Sequence, residues 1–182
     1  MRNRSVGRGL VLLSLTGLLA AAATGIAFAA SSSGGGAVVL TKGKEGWETN
    51  ALVSATLRFA PQVIRVASGE SVTFVKADRN EEPHTVTIST KKGLPHSFES
   101  PCPACNVVSG HLKNPDAENS GIKSYVLDKG KPGFERVGDS LFLAPKGPHA
   151  RGTVVISAPA GTTLHYLCAI HPWMQGSIKV TQ

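Results

Sequence analysis

Nine residues near the C-terminus, Tyr166-Leu167-Cys168-Ala169-Ile170-His171-Pro172-Trp173-Met174, carry three donor side chains at the spacing C-x2-H-x2-M. A thiolate, an imidazole and a thioether this close can surround one metal ion if the loop that holds them folds back on itself. Donor type selects the metal. One thiolate and two imidazoles, with a weak and long thioether as a fourth ligand, are the trigonal set of blue copper electron-transfer sites. The residue composition alone predicts about 0.001 matches to this pattern in the chain, and Met1 is the only other methionine. The competing reading is a buried core cysteine beside a surface histidine, and the strand context weighs against it.

The loop supplies one imidazole, so a second must come from elsewhere. His84 opens the alternating run His84-Thr85-Val86-Thr87-Ile88, directly after Pro83, where a strand would begin at a sheet end. His96, His111, His149 and His165 lack that setting. The expected metal ligands are therefore His84, Cys168, His171 and Met174, around one type 1 copper ion. Such a set suits both Cu(II) and Cu(I), so little need move when an electron arrives. The axial ligand and the shell around the cysteine sulfur then tune the potential.

These residues need a rigid scaffold. Leu52 to Phe59, Gln62 to Val66, Ser71 to Lys76 and His84 to Ile88 read as strands with one buried face. Strand patterning returns at Thr153 to Ser157, Thr162 to Cys168 and Gly176 to Val180. Turn signals lie between them at Ser68-Gly69-Glu70 and Pro159-Ala160-Gly161. The expected fold is all-β, a Greek-key β-sandwich over residues 51–182. The stretch from about 89 to 152 is rich in Lys, Gly, Pro, Asn and Ser, and reads as a long loop-rich insertion with a short helix near Asn106 to Lys113.

The start of the chain reads differently. Arg2, Arg4 and Arg8 precede an uncharged apolar run from Gly9 to Ala30 that ends in Ala27-Phe28-Ala29. Residues 1–30 are expected to be a signal peptide or an N-terminal membrane anchor. Either places the domain in an extracytoplasmic space: periplasmic, cell-surface or secreted. Residues 31–50 follow as an expected flexible linker, opening on three serines and three glycines. The formal net charge of +7 falls to +4 without those three arginines, and no basic stripe is interleaved with aromatics. Nucleic acid is thus a poor partner, whereas a mild positive charge could steer an acidic redox protein.

A second cysteine pair, Cys102-Pro103-Ala104-Cys105, lies inside the insertion, flanked by His96 and His111. Three readings compete. The pair could be a local disulfide, which an oxidising compartment favours and which parity supports once Cys168 is assigned to the metal. It could bind a second, zinc-like metal with His96 and His111. It could be a redox-active dithiol. The disulfide leads.

Taken together, Pro83-His84-Thr85-Val86, Ala160-Gly161-Thr162 and Cys168 through Gly176 resemble a cupredoxin of the plastocyanin/azurin family, with an amicyanin-like ligand loop. The stretch from Phe59 to Val66, with Gly69 and Val72-Thr73-Phe74, resembles the family's opening strands. The likeness spans roughly residues 52–88 and 138–182. It implies copper at one end of a β-sandwich, the four ligands named above, and single-electron transport rather than catalysis. The partners it implies are redox proteins, such as a membrane respiratory complex or a cytochrome. Two features depart from the family. Many members carry Asn after the first histidine, to tie the two ligand segments together, whereas this chain has Thr85. The 83 residues between His84 and Cys168 also exceed what amicyanin or plastocyanin carries.

Two other functions remain open on the sequence. A small copper-dependent oxidase or reductase would need an additional metal site, and the spare histidines form no H-x-H pair. A copper store or chaperone would favour Met-rich or exposed thiolate sites, and a single methionine besides Met1 argues against Met-rich capture.

Overall fold

A computed structural model describes residues 36–50, 52–97, 99–106, 126–127 and 133–182. The signal or anchor expected at residues 1–30 lies outside the described residues, as do His111 and nearly all of the helix expected near Asn106 to Lys113. A single helical turn over residues 103–106 precedes that region. Among the described residues, no helix is long and apolar enough to cross a membrane.

Among the described residues, twelve strands dominate the fold. In chain order they are β1 (Ala37–Lys42), β2 (Glu45–Glu48), β3 (Leu52–Ala55), β4 (Arg58–Ala60), β5 (Val63–Ala67) and β6 (Ser71–Lys76). These are followed by β7 (His84–Ser89), β8 (Val126–Leu127), β9 (Ser140–Leu143), β10 (Arg151–Val155), β11 (Thr163–Leu167) and β12 (Gln175–Thr181). A four-stranded sheet has the order β10-β6-β1-β4, and a six-stranded sheet the order β5-β12-β11-β7-β9-β8. β2 and β3 form a separate hairpin. Two pairings are parallel, β1 with β6 and β12 with β5.

The sheets share one apolar core. β6 alternates strictly, burying Val72, Phe74 and Lys76, and β5 buries Ile64 and Val66 from its alternate positions. This period of two turns one face of each strand inward. Facing side chains include Val39, Phe59, Val86, Ile88, Leu141, Leu143, Ile156 and Ile178. Burying each large apolar side chain contributes about 1.5–3 kcal/mol, which offsets the entropy of ordering many turns.

Tyr166 lies at the centre with no exposed surface, its ring edge-on to Phe59 and Phe74 at 5.0 and 5.5 Å. A Cβ on Gly176 would sit 2.4 Å from the Tyr166 ring, so only glycine lets β12 pass this close.

Two expectations need correction. The flexible linker expected at 31–50 contains β1, a central strand of the smaller sheet, and β2. The run Ala37-Val38-Val39-Leu40-Thr41 is β-branched and apolar, and the Gly/Ser-rich stretch before it masked that signal. The insertion expected at about 89–152 is likewise not all loop. β9 runs beside β7 with His84 opposite Leu143, and every residue of β9 is buried. This covers the second face of β7, whose six residues are all buried rather than alternating. Four residues are too few for periodicity to distinguish a strand from a buried turn.

Candidate metal centre

β7 and β11 are antiparallel neighbours, with Tyr166 opposite Ile88 and Leu167 opposite Thr87. Because the start of one strand therefore meets the end of the other, His84 and Cys168 arrive at the same end of the sheet. Beyond β11 the chain makes the loop 168–174 before re-entering the sheet as β12. The Cys168 amide donates to the Met174 carbonyl at 2.9 Å, closing the loop at its base. The Met174 amide donates to the His171 carbonyl at 2.8 Å, turning the loop back at its middle. These bonds fold the loop back on itself, and Cys168, His171 and Met174 are all buried.

Two sequence-expected histidines meet the cysteine. The Nδ1 atoms of His84 and His171 lie 3.1 Å apart, and they lie 3.8 and 3.7 Å from the Cys168 Sγ. A point near the centre of that triangle is ~2.1 Å from all three atoms, which matches the roughly 2.0–2.3 Å that imidazole and thiolate ligands make to a borderline-soft cation. The three side chains could hold a metal ion. Met174 is fully buried in the same core cluster.

Both imidazoles are oriented by carboxylates, which the sequence reading missed. The His84 Nε2 lies 3.0 Å from Asp78 Oδ2, and the His171 Nε2 lies 2.7 Å from Glu82 Oε2. An ionised carboxylate only accepts, so each Nε2 carries the proton and each Nδ1 presents its lone pair to the centre. Asp78 is buried, accepts also from the Thr41 hydroxyl, and pairs with Lys76 at 2.7 Å. Burial raises the Asp78 pKa, but the Lys76 and Thr41 hydrogen bonds outweigh it and hold the group below the usual carboxylate range. Asp78 and Glu82 precede His84 by six and two positions, a spacing that forms no recognisable motif. Only the turn between β6 and β7 brings them round.

Burial alone would push the Cys168 thiol up, but the His171 and His84 imidazoles and the Thr85 amide beside it reverse this and bring it down to about 6. The thiolate is the ligand form, and at neutral pH it is favoured. The Thr85 amide donates to the same sulfur at 3.3 Å. The Thr85 hydroxyl also accepts from the Ala169 amide at 2.7 Å. Thr85 thereby makes the tie between the two ligand segments that the sequence left in doubt. Its hydroxyl sits 3.0 Å from that of Thr87, which lies 2.8 Å from that of Ser140, so a buried polar row runs beneath the loop.

Two carboxylates stand at the outer edge of His171. The residue is only 3% exposed, with Glu82 over its Nε2 and Glu45 of β2 3.5 Å away. Trp173 packs edge-on to the imidazole at 5.3 Å and remains 43% exposed. Beside it, a cavity of about 540 Å³ is lined by Ile170, Pro172 and Trp173 on one side and by Pro95, His96 and Cys105 on the other. Gln175 Nε2 bridges these two sides, donating to the Pro95 and Pro172 carbonyls at 2.8 and 2.9 Å. Cys102 and Cys105 are joined as a disulfide. His149 and His165 are not part of the ligand cluster.

No protein-family model matches the sequence, and no curated protein matches it. Solved structures do. A purple cupredoxin from Nitrosopumilus maritimus is 16% identical, with 80% of this chain and 99% of that one covered, at a TM-score of 0.40. Auracyanin from Roseiflexus castenholzii is 20% identical over 69% of this chain and 88% of its own, at 0.37. Plastocyanin from Dryopteris crassirhizoma is 18% identical over 79% and 99%, at 0.40.

Proposed function

We propose that this chain is an exported type 1 copper protein that carries single electrons between redox partner proteins. His84, Cys168 and His171 would hold the copper ion, with the Met174 thioether as the fourth donor. The observation that carries this reading is the triangle of two Nδ1 atoms and one Sγ, sized for a single ion and buried on every side. Bound copper supplies a one-electron couple, Cu(II) and Cu(I). The protein supplies a site that need not rearrange between them: a loop closed by its own backbone, two imidazoles pinned at Nε2, and a thiolate held by an amide. One electron enters from a reduced partner and one leaves to an oxidised partner, and no bond is made or broken. The Cys102–Cys105 disulfide supports an extracytoplasmic location, where such bonds persist.

A visible and paramagnetic-resonance spectrum of the copper-loaded protein, with a metal count, tests this reading. An intense blue band with a narrow copper hyperfine splitting and one copper per chain is expected. Two coppers per chain would instead favour an oxidase or reductase with an additional metal site.

A further inference from the structure

The two histidines of the site are backed by carboxylates of unequal electrical weight. Asp78 spends its charge on Lys76, whose Nζ also donates to the Asn80 carbonyl and side-chain oxygen at 2.7 and 2.9 Å. The Lys76 and Asp78 side chains are 1% and 0% exposed, so the pair is a neutral, rigid unit behind His84. Glu82 has no such cation. Among the described residues its one hydrogen-bonding partner is His171, at 2.7 Å, and Glu45 adds a second carboxylate at 3.5 Å from the same nitrogen. His171 therefore faces uncompensated negative charge, whereas His84 does not.

Resting on the copper reading above, we infer that Glu82 is a positioning residue that biases the metal toward its oxidised state through His171, while Asp78 fixes the orientation of His84 with little bias. A carboxylate that accepts from Nε2–H makes the imidazole a stronger donor at Nδ1, and the stronger donor stabilises the more highly charged ion. The same negative charge acts on that ion directly: the Glu82 side chain is 54% exposed and solvent screens its outer side, but the ring between it and the ion is nearly closed to water. Glu45 contributes in the same direction from further away. An electron leaving by the His171 edge must also pass these two carboxylates, so the groups that set the driving force stand at the exit.

The test is a spectroelectrochemical titration of the copper-loaded full chain, comparing wild type with Glu82→Gln, Glu82→Lys, Asp78→Asn and Glu81→Gln. Glu81 is the control for net charge, because its carboxylate is 81% exposed and already tied to Lys146 at 2.7 Å. Glu82→Gln should keep the blue band and lower the preference for Cu(II) about tenfold, a rise of ~59 mV for one electron. Glu82→Lys should move it further in the same direction. Glu81→Gln should match wild type. Asp78→Asn should alter the paramagnetic-resonance spectrum, because the His84 Nε2–H keeps only a neutral acceptor and Lys76 loses its counter-charge. A blue wild type whose Glu82→Gln and Glu82→Lys variants keep its potential would overturn this inference and leave the copper reading standing. A colourless copper-loaded wild type would overturn both.

Discussion

The ligand end of the large sheet and the segment from Lys91 to Asn106 border one cavity, yet they are held in different ways. The ligand end is fixed by contacts far apart in sequence. β7 meets β11, Thr85 bonds Cys168 and Ala169, and Asp78 and Glu82 reach the two imidazoles. The segment is fixed largely by its neighbours. The Gly93 amide bonds the Thr90 hydroxyl, the Ser100 hydroxyl accepts from the amides of His96 and Ser97, and a disulfide spans three positions. Long-range links are costly in chain entropy but make a site that resists rearrangement. Local links hold a shape without committing the rest of the fold to it. Gln175 is where the two meet.

Substitutions can break or sharpen this contrast. The largest effect is expected from Cys168→Ser, which removes the thiolate. The blue band should vanish completely, and a band that survives would sink the assignment of the site. Next is Thr85→Val, which leaves the Ala169 amide without its acceptor in a part-buried place. We expect a loss of about 1–3 kcal/mol in urea unfolding and a broader copper signal. Unchanged values would mean that the loop holds its shape without the link.

The double change Cys102→Ser with Cys105→Ser should cost about 2 kcal/mol or less, because the ring it opens is short. Its blue band should match wild type, since no donor comes from the segment. A shifted band would show that the segment does shape the site. The smallest effect is expected from Tyr166→Phe. The Tyr166 hydroxyl is buried with no hydrogen-bonding partner among the described residues, and burial pushes its pKa up. Removing the hydroxyl should therefore change stability by no more than about 1 kcal/mol, and in the stabilising direction. Equilibrium unfolding decides, and a large loss would mean that the hydroxyl has a role in the core.

Much of this was legible in the amino-acid sequence. C-x2-H-x2-M offers three donor side chains to one metal ion, because the pattern is short, chemically distinctive and carried by one loop. His84 could be found from its place at the head of an alternating strand. The β-sandwich followed from strands with a period of two. The sequence did not reveal β9, whose four buried residues carry no period, or β1, hidden behind glycines and serines. It could not show that Thr85 does the work of an amide side chain, since a hydroxyl reaches the Ala169 amide only at one particular separation of two strands.

The carboxylates were beyond it altogether. Asp78, Glu82 and Glu45 look like any solvated acids in a charged turn or hairpin. Chemical identity is a property of a residue and its near neighbours, so the sequence determined the donors. What each donor's far nitrogen touches depends on how separate segments fold over one another, so the tertiary structure alone decided which charge stands behind each imidazole.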